Sequence, residues 1–251
     1  MSRRSILLTA LVVLGGWQAL AMALATPILP DVPAVARAVV RGMSGSLGAH
    51  LLASTGRVLA ATLVTALVAT PVGLAIGQSQ NWNRRLSALI YLTYPIPKVV
   101  FLPIILLALG LGDGSKIFFI ALILFYQVLI VVRDSAAGIH PELIQSVASL
   151  GATRWQLIRH VYLPACVPAV LTGLRLSTGT AIAVLFLAES IAASSGVGYY
   201  IMVEGWGRMA YADMYAGVVA LSGLGLLLYA ALDALEARLC AWRTPPGAYV
   251  A

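Results

Sequence analysis

The sequence predicts an all-α, polytopic membrane protein with six transmembrane helices, and three observations predict it. Hydrophobic residues fill 61% of the 251 positions and charged residues only 10%, well to the apolar side of soluble domains; the mean hydropathy is +0.94. The few charges leave uncharged runs of membrane length, since about 20 helical residues cross roughly 30 Å of hydrocarbon. Basic residues also concentrate in alternate connections, which is the orientation signal of a multi-pass chain.

Residues 5–30 carry no charge and give the first span. Arg3, Arg4 and the Ala23-x-Ala25 triplet also fit a cleaved signal peptide. The run is longer than the usual h-region of about 7–15 residues and holds Trp17 and Gln18, which favours a retained helix. Between residues 26 and 50, Val32, Val35, Ala36, Val39 and Val40 fall at helical spacing, so a short amphipathic element is expected at the outer surface, packed against helix ends. Residues 58–83 form the second span.

The third span runs from residue 86 to 112 and is interrupted by Pro95, Pro97 and Pro103, each lacking the amide hydrogen of an intact helix. Lys98 lies at this break, where a charge near the bilayer centre costs about 2.5–3.5 kcal/mol on insertion scales. Two readings stand. Tyr94, Pro95, Pro97 and Lys98 border a transport pathway, where irregular backbone is tolerated, or the prolines make a packing kink and Lys98 snorkels to an interface. Gly110 to Lys116 is an exterior turn: its spacing fails the phosphate-loop pattern and no Gly-Lys pair occurs in the chain. Residues 117–132 form the fourth span, with Lys116 and Arg133 snorkelling at its ends. Residues 165–188, interrupted only by Arg175, form the fifth, and 214–232 the sixth.

Arg3, Arg4, Arg84, Arg85, Arg133, Arg154, Arg159, Arg238 and Arg243 fall on one side of this scheme, against Arg37, Arg41, Arg57, Lys116 and Arg208 on the other. Both termini are therefore expected in the cytoplasm, and the net charge of +7 is partly this signal rather than a nucleic-acid surface. Cys166 and Cys240 have no disulfide or metal partner in the pattern. His50, His140 and His160 show no metal spacing, and no nucleophile–base arrangement stands out. No useful internal repeat occurs, and the large inverted repeats common in ion-coupled secondary transporters are not evident, although Glu189 and Lys98 keep that class as an alternative.

The longest polar stretch on the cytoplasmic side lies at about residues 134–165. Pro141 suits a first helical turn and Glu142 its positive end; Ile144, Val147 and Ala148 make one apolar stripe. Gly151 permits a reversal, and Thr153 caps a second helix from Arg154 to about His160, with Trp155 and Ile158 on one face and Pro164 stopping it. Such a knob either docks a protein or lies on lipid headgroups.

Gly151-x9-Val161-x-Leu163-Pro164 resembles the EAA motif of binding-protein-dependent ABC importer permeases. Tyr94-Pro-Ile-Pro-Lys98, Leu109-Gly-Leu-Gly112, Pro168 with Gly173-Leu-Arg175, Ala188-Glu189 and Ser195-Gly-Val-Gly198 are similar to the nitrate/sulfonate/taurine branch. The resemblance implies a type I-like permease architecture in a single domain covering residues 1–251 of the inner membrane. It also implies an ABC ATPase partner that holds ATP and Mg, an extracytoplasmic substrate-binding protein, and a second permease copy in a homodimer embedded in membrane lipid. No cofactor is expected on this chain and no covalent step. The family's coupling role falls on Glu142, Gln145, Gly151, Thr153, Arg154, Trp155, Ile158 and Pro164. Glu-Ala-Ala itself is replaced by Gln145, Ser146 and Val147. Substrates of the branch are mostly small organic or inorganic anions, with some pyrimidine vitamin precursors. Glu189 is read either as shaping the outer mouth, paired with Lys98, or as an interface residue at a helix end; Arg175 is read as snorkelling.

Overall fold

The computed structural model describes residues 3–191 and 193–242, and every regular element among them is a helix. Arg243 and the side chains of Arg3 and Arg4, which entered the orientation argument, lie outside what is described. The chain forms two compact units, one of residues 1–56 with 185–224 and one of residues 57–184 with 225–251.

In the first unit, α1 (Arg3–Leu24) is followed by α2 (Val32–Met43). The two polar residues inside the first apolar run tie down the connection: Trp17 Nε1 donates to the Pro30 carbonyl at 3.1 Å, and Gln18 Oε1 accepts from the Val32 amide at 2.9 Å. Asp31 caps α2 by accepting from the Ala34 amide at 2.8 Å, with Pro33 in the first turn. Val35 and Ala38 form the buried stripe of α2, while Ala36 and Val40 face outward, a small rotation from the expected face. The unit is completed by the start of α3 (Ser46–Gly77), the end of α10 (Thr178–Ile191), α11 (Val197–Tyr199), a π-helical turn Tyr200–Trp206, and the start of α12 (Tyr211–Leu239).

In the second unit, α3 continues into α4 (Gln80–Thr93), a 3-10 turn Lys98–Phe101, α5 (Leu102–Leu109) and α6 (Asp113–Ala137). These lead to α7 (Pro141–Ala148), α8 (Arg154–Leu157), a π turn Ile158–Tyr162 and α9 (Leu163–Leu176). The core lies between α6 and α9, where Phe119, Leu124, Val128 and Val132 are buried with Cys166, Val170, Leu171 and Leu174. A Cβ at Gly73 would stand 2.9 Å from Val132, and one at Gly77 would stand 2.6 Å from the Ala136 Cβ. This Gly-x3-Gly pair lets α3 approach α6 closely, the contact that drives helix association where lipid removes the hydrophobic difference.

The six expected spans are corrected in number and bounds. Among the described residues four helices are long and apolar enough to cross a membrane, namely Ser46–Gly77, Asp113–Ala137, Arg154–Leu176 and Tyr211–Leu239. The pair Asn81–Thr93 and Lys98–Leu109, bent by 77°, makes five if it is one span. Leu8–Leu24 and Thr178–Ile191 are apolar but shorter. The second span starts at Ser46 because Arg57, taken as a boundary charge, is a buried residue inside α3 paired with Asp113 at 2.7 Å. The expected fifth span breaks at Ser177, whose hydroxyl donates back to the Gly173 carbonyl at 2.7 Å alongside its own amide at 3.0 Å, the kind of back-bond that bends helices.

Candidate functional site

The polar elbow is assembled from local signals. Pro141 opens α7 at its first turn, Glu142 sits beside the helix's positive end, and the helix closes with the Ser149 amide donating to the Gln145 carbonyl at 2.8 Å. Gly151 takes φ +81 with open space where a Cβ would stand, so backbone conformation, not crowding, calls for glycine. Thr153 then makes a full capping box: its hydroxyl accepts from the Gln156 amide at 3.3 Å, and Gln156 Oε1 accepts from the Thr153 amide at 2.7 Å.

Pro164 does not stop this helix. The Leu163 amide donates to the Ile158 carbonyl, an i→i+5 bond. The widened π turn Ile158–Tyr162 places Pro164 in the first turn of α9, where its missing amide and its ring are accommodated. One helical run, Arg154–Leu176, therefore carries the elbow into the apolar region.

The elbow's apolar side chains are bare. Leu150 is 85% exposed and Trp155 67%, Ala148 is exposed, and Ile144, Val147 and Ile158 are half-buried. Glu142 and Gln145 are exposed, as are Arg154 and Arg159. Trp155 and Ile158, expected on one face, both line a cavity of about 960 Å³ together with Trp82, Arg154, Leu157 and Leu163.

The break in the third expected span is held by its own lysine. Pro97 has no amide to give to the Thr93 carbonyl, and Lys98 Nζ reaches that oxygen at 3.2 Å, the Tyr94 carbonyl at 3.0 Å and the Ile96 carbonyl at 3.4 Å. The same ammonium lies 4.1 Å from the Tyr126 ring centroid, within cation–π range. Lys98 therefore closes the bend at Tyr94–Pro97 instead of reaching outward.

Glu189 is fully buried in the first unit. The Ser54 hydroxyl faces both its oxygens at 2.8 and 2.9 Å, and the Gly198 amide donates to it at 3.0 Å. Ser54 Oγ in turn accepts from the Val197 amide at 2.8 Å, and His50 Nδ1 accepts from the Gly196 amide at 3.0 Å. Gly196 takes φ +113, and a Cβ there would overlap the Glu189 carboxylate. His50 and Ser54 are not among the residues that the sequence singles out for a site, since metal spacing alone does not flag this histidine. The available signal was a polar His50-x3-Ser54-x2-Arg57 stripe at helical spacing inside an apolar run. Nearby, burial pushes the Tyr200 phenol above its ordinary range, aided by the charges of Asp213 and Glu204 and opposed by Arg41.

The expected snorkelling cations are instead paired, Arg133 with its neighbour Asp134 at 2.7 Å. Arg175 Nη1 meets Asp233 at 2.6 Å and Glu236 at 3.1 Å, so carboxylates one turn apart on α12 replace the interface. Lys116 is buried and donates to the Leu111 carbonyl at 2.6 Å and the Gly112 carbonyl at 3.1 Å. Among the described residues no group of three or more His, Cys, Asp or Glu side chains is placed to hold a metal ion.

Among the described residues, several helices of membrane length, one of them part of a bent pair, and an exposed elbow at the head of another give the chain the make-up of a polytopic membrane protein. The chain belongs to the binding-protein-dependent transport system inner membrane component family, which it matches over residues 69–240. It is 35% identical over 201 residues to the taurine transport system permease protein TauC of Escherichia coli K12, covering 80% of this chain and 72% of that protein. It is 32% identical over 202 residues to the putative aliphatic sulfonates transport permease protein SsuC of Bacillus subtilis 168, with the same coverages. In fold it is similar to a chain of the inward-facing MetNI methionine ABC transporter, with a TM-score of 0.67 and 20% identity over 78% of this chain and 97% of that one. The protein is thus a permease subunit of an ABC importer in the taurine/sulfonate/nitrate branch, a multi-pass membrane component rather than an enzyme.

Proposed function

We propose that this chain moves a small organic or inorganic anion, such as a sulfonate, taurine or nitrate, inward by alternating access. A separate ATPase, which holds the ATP and Mg, grips the elbow at residues 134–165. Glu142, Gln145, Gly151, Thr153, Arg154, Trp155, Ile158 and Pro164 form the gripped surface and its hinge. Both termini face the cytoplasm, an extracytoplasmic binding protein delivers the solute, and a second copy of the chain completes the pathway. Tyr94, Pro95, Pro97 and Lys98 shape that pathway through the bend, and Glu189 shapes it through the turn at residues 193–198.

One observation carries the reading: the elbow leaves Leu150 and Trp155 exposed at the head of one helical run, Arg154–Leu176. A bare aromatic anchor on a lever is what a partner subunit needs in order to transmit its closure. The kinship with taurine and sulfonate permeases supports the anion class. The test is taurine uptake into vesicles holding the assembled complex, with and without ATP on the elbow's face. Uptake that requires ATP is expected. Equal uptake by this chain alone without ATP would reject the importer reading.

A further inference from the structure

Three consecutive amides of the 193–198 turn and α11 each donate to a side chain: Gly196 to His50 Nδ1, Val197 to Ser54 Oγ and Gly198 to Glu189 Oε2. Of these acceptors only the histidine loses its lone pair on taking up a proton. The Gly196 bond fixes the tautomer. Nδ1 must be bare, so the neutral ring carries its proton on Nε2, which faces Glu204 Oε1 at 3.3 Å. The neutral ring satisfies both neighbours. A second proton on Nδ1 would set two donors against each other at Gly196 while strengthening the attraction to Glu204.

We propose that His50 is a positioning residue whose neutral imidazole pins the 193–198 turn, and whose protonation releases Gly196 while tightening the contact the ring already makes with Glu204. The groups around it are consistent with that exchange. Glu204, from the π turn Tyr200–Trp206, accepts from the Ser46 hydroxyl at 2.9 Å and stands ready for the imidazolium. Tyr199 and Tyr200 flank the ring at 5.6 and 5.9 Å between centroids; Tyr200, pushed up by burial, stays a neutral phenol throughout. Arg41 of α2 is engaged with Asp213 of α12 at 3.0 Å, and Glu189 of α10 with Ser54 and Gly198. The released segment matters because Gly196 is held at φ +113 directly against Glu189. Losing one of three consecutive anchors loosens a backbone that has no room for a Cβ beside the Glu189 carboxylate.

The consequence for import rests on the transport reading above, so the test has one arm that does not. Amide exchange of residues 193–199 is measured in the full chain in phospholipid nanodiscs at pH 7.5 and 5.5, each corrected for the intrinsic rate. Wild type should lose protection by about five- to tenfold at the lower pH, the equilibrium factor of one hydrogen bond. His50→Asn places a non-titrating oxygen near the Nδ1 position and should keep protection at both pH values; His50→Ala should lack it at both. Unchanged wild-type protection, or the same acid loss in His50→Asn, overturns the proposal. In the second arm, ATP-driven taurine uptake by the assembled complex is followed while the pH opposite the nucleotide falls from 7.5 to 5.5. Wild type should slow, and His50→Asn should restore uptake lost in His50→Ala and show no acid limb. A shared limb counts against His50. Uptake independent of ATP at pH 7.5, with the exchange pattern intact, would instead remove the importer reading and leave the pin standing.

Discussion

The elbow and the 193–198 turn are both short bends built around a glycine at positive φ, and they are made in opposite ways. At the elbow, Gly151 takes φ +81 in open space, and the hydrogen bonds that close it join residues three or four apart, Thr153 with Gln156 and Ser146 with Glu142. At the turn, Gly196 takes φ +113 against a carboxylate, and its bonds reach 146 and 143 residues along the chain, to His50 and Ser54. A bend closed by its own neighbours can stand bare and offer itself to another subunit. One closed by distant side chains is fixed by the surrounding unit and gives way only when those side chains change.

The largest test of this contrast exchanges each glycine for asparagine, the side chain that best tolerates positive φ. Gly196→Asn must displace Glu189 and occupy a glycine-only backbone region. Overpacking and backbone strain of about 1–3 kcal/mol each should then remove most folded protein, read as a fall in the unfolding midpoint in detergent. Gly151→Asn meets nothing within 4 Å and should leave that midpoint within a degree or two. Equal loss in both variants would erase the distinction between the bends.

That contrast also explains what the sequence could disclose. Helical character, the elbow's two helices, the Gly151 reversal and the Thr153 cap follow from residues close in the chain, and all were readable. The partners of charged residues were not. By sequence position Arg57, Lys116 and Arg175 are boundary or snorkelling charges, because the sequence holds no sign that Asp113, the Leu111 and Gly112 carbonyls, or Asp233 and Glu236 meet them in the fold. Pro164 departs from its expected role as a helix stop for a related reason. Proline rules assume an α-helical register, and the π turn before it changes that register.

A second test sharpens the elbow's half of the comparison. Trp155 is 67% exposed, so Trp155→Ala should barely move the unfolding midpoint of the isolated chain. As a central aromatic anchor it should weaken ATPase association by about 2 kcal/mol or more, roughly thirtyfold, read by titrating ATPase onto the permease in nanodiscs. Unchanged association would mean that the elbow meets lipid instead.

The bend at Tyr94–Pro97 lies between the two extremes, because a local lysine stabilises a break the prolines announce. Lys98→Met would leave the carbonyls of Thr93, Tyr94 and Ile96 without its ammonium, costing about 1–3 kcal/mol. Lys98→Arg keeps the charge and donors and should recover most of that loss. If Met and Arg behave alike in thermal unfolding, the lysine is not what closes the bend.

The smallest effect belongs to the most local device. Thr153→Ala removes the hydroxyl that accepts from the Gln156 amide and should cost about 1 kcal/mol, the usual value of an N-cap. Because the elbow is exposed, that cost should appear as faster amide exchange over residues 153–157 with no change in the global midpoint. Thr153→Ser and Thr153→Asp supply an acceptor at the same place and should restore slow exchange; Asp should do so at least as well as Ser, since a negative charge suits the start of a helix. A global loss of stability in Thr153→Ala would show that the elbow is energetically continuous with the helices below it.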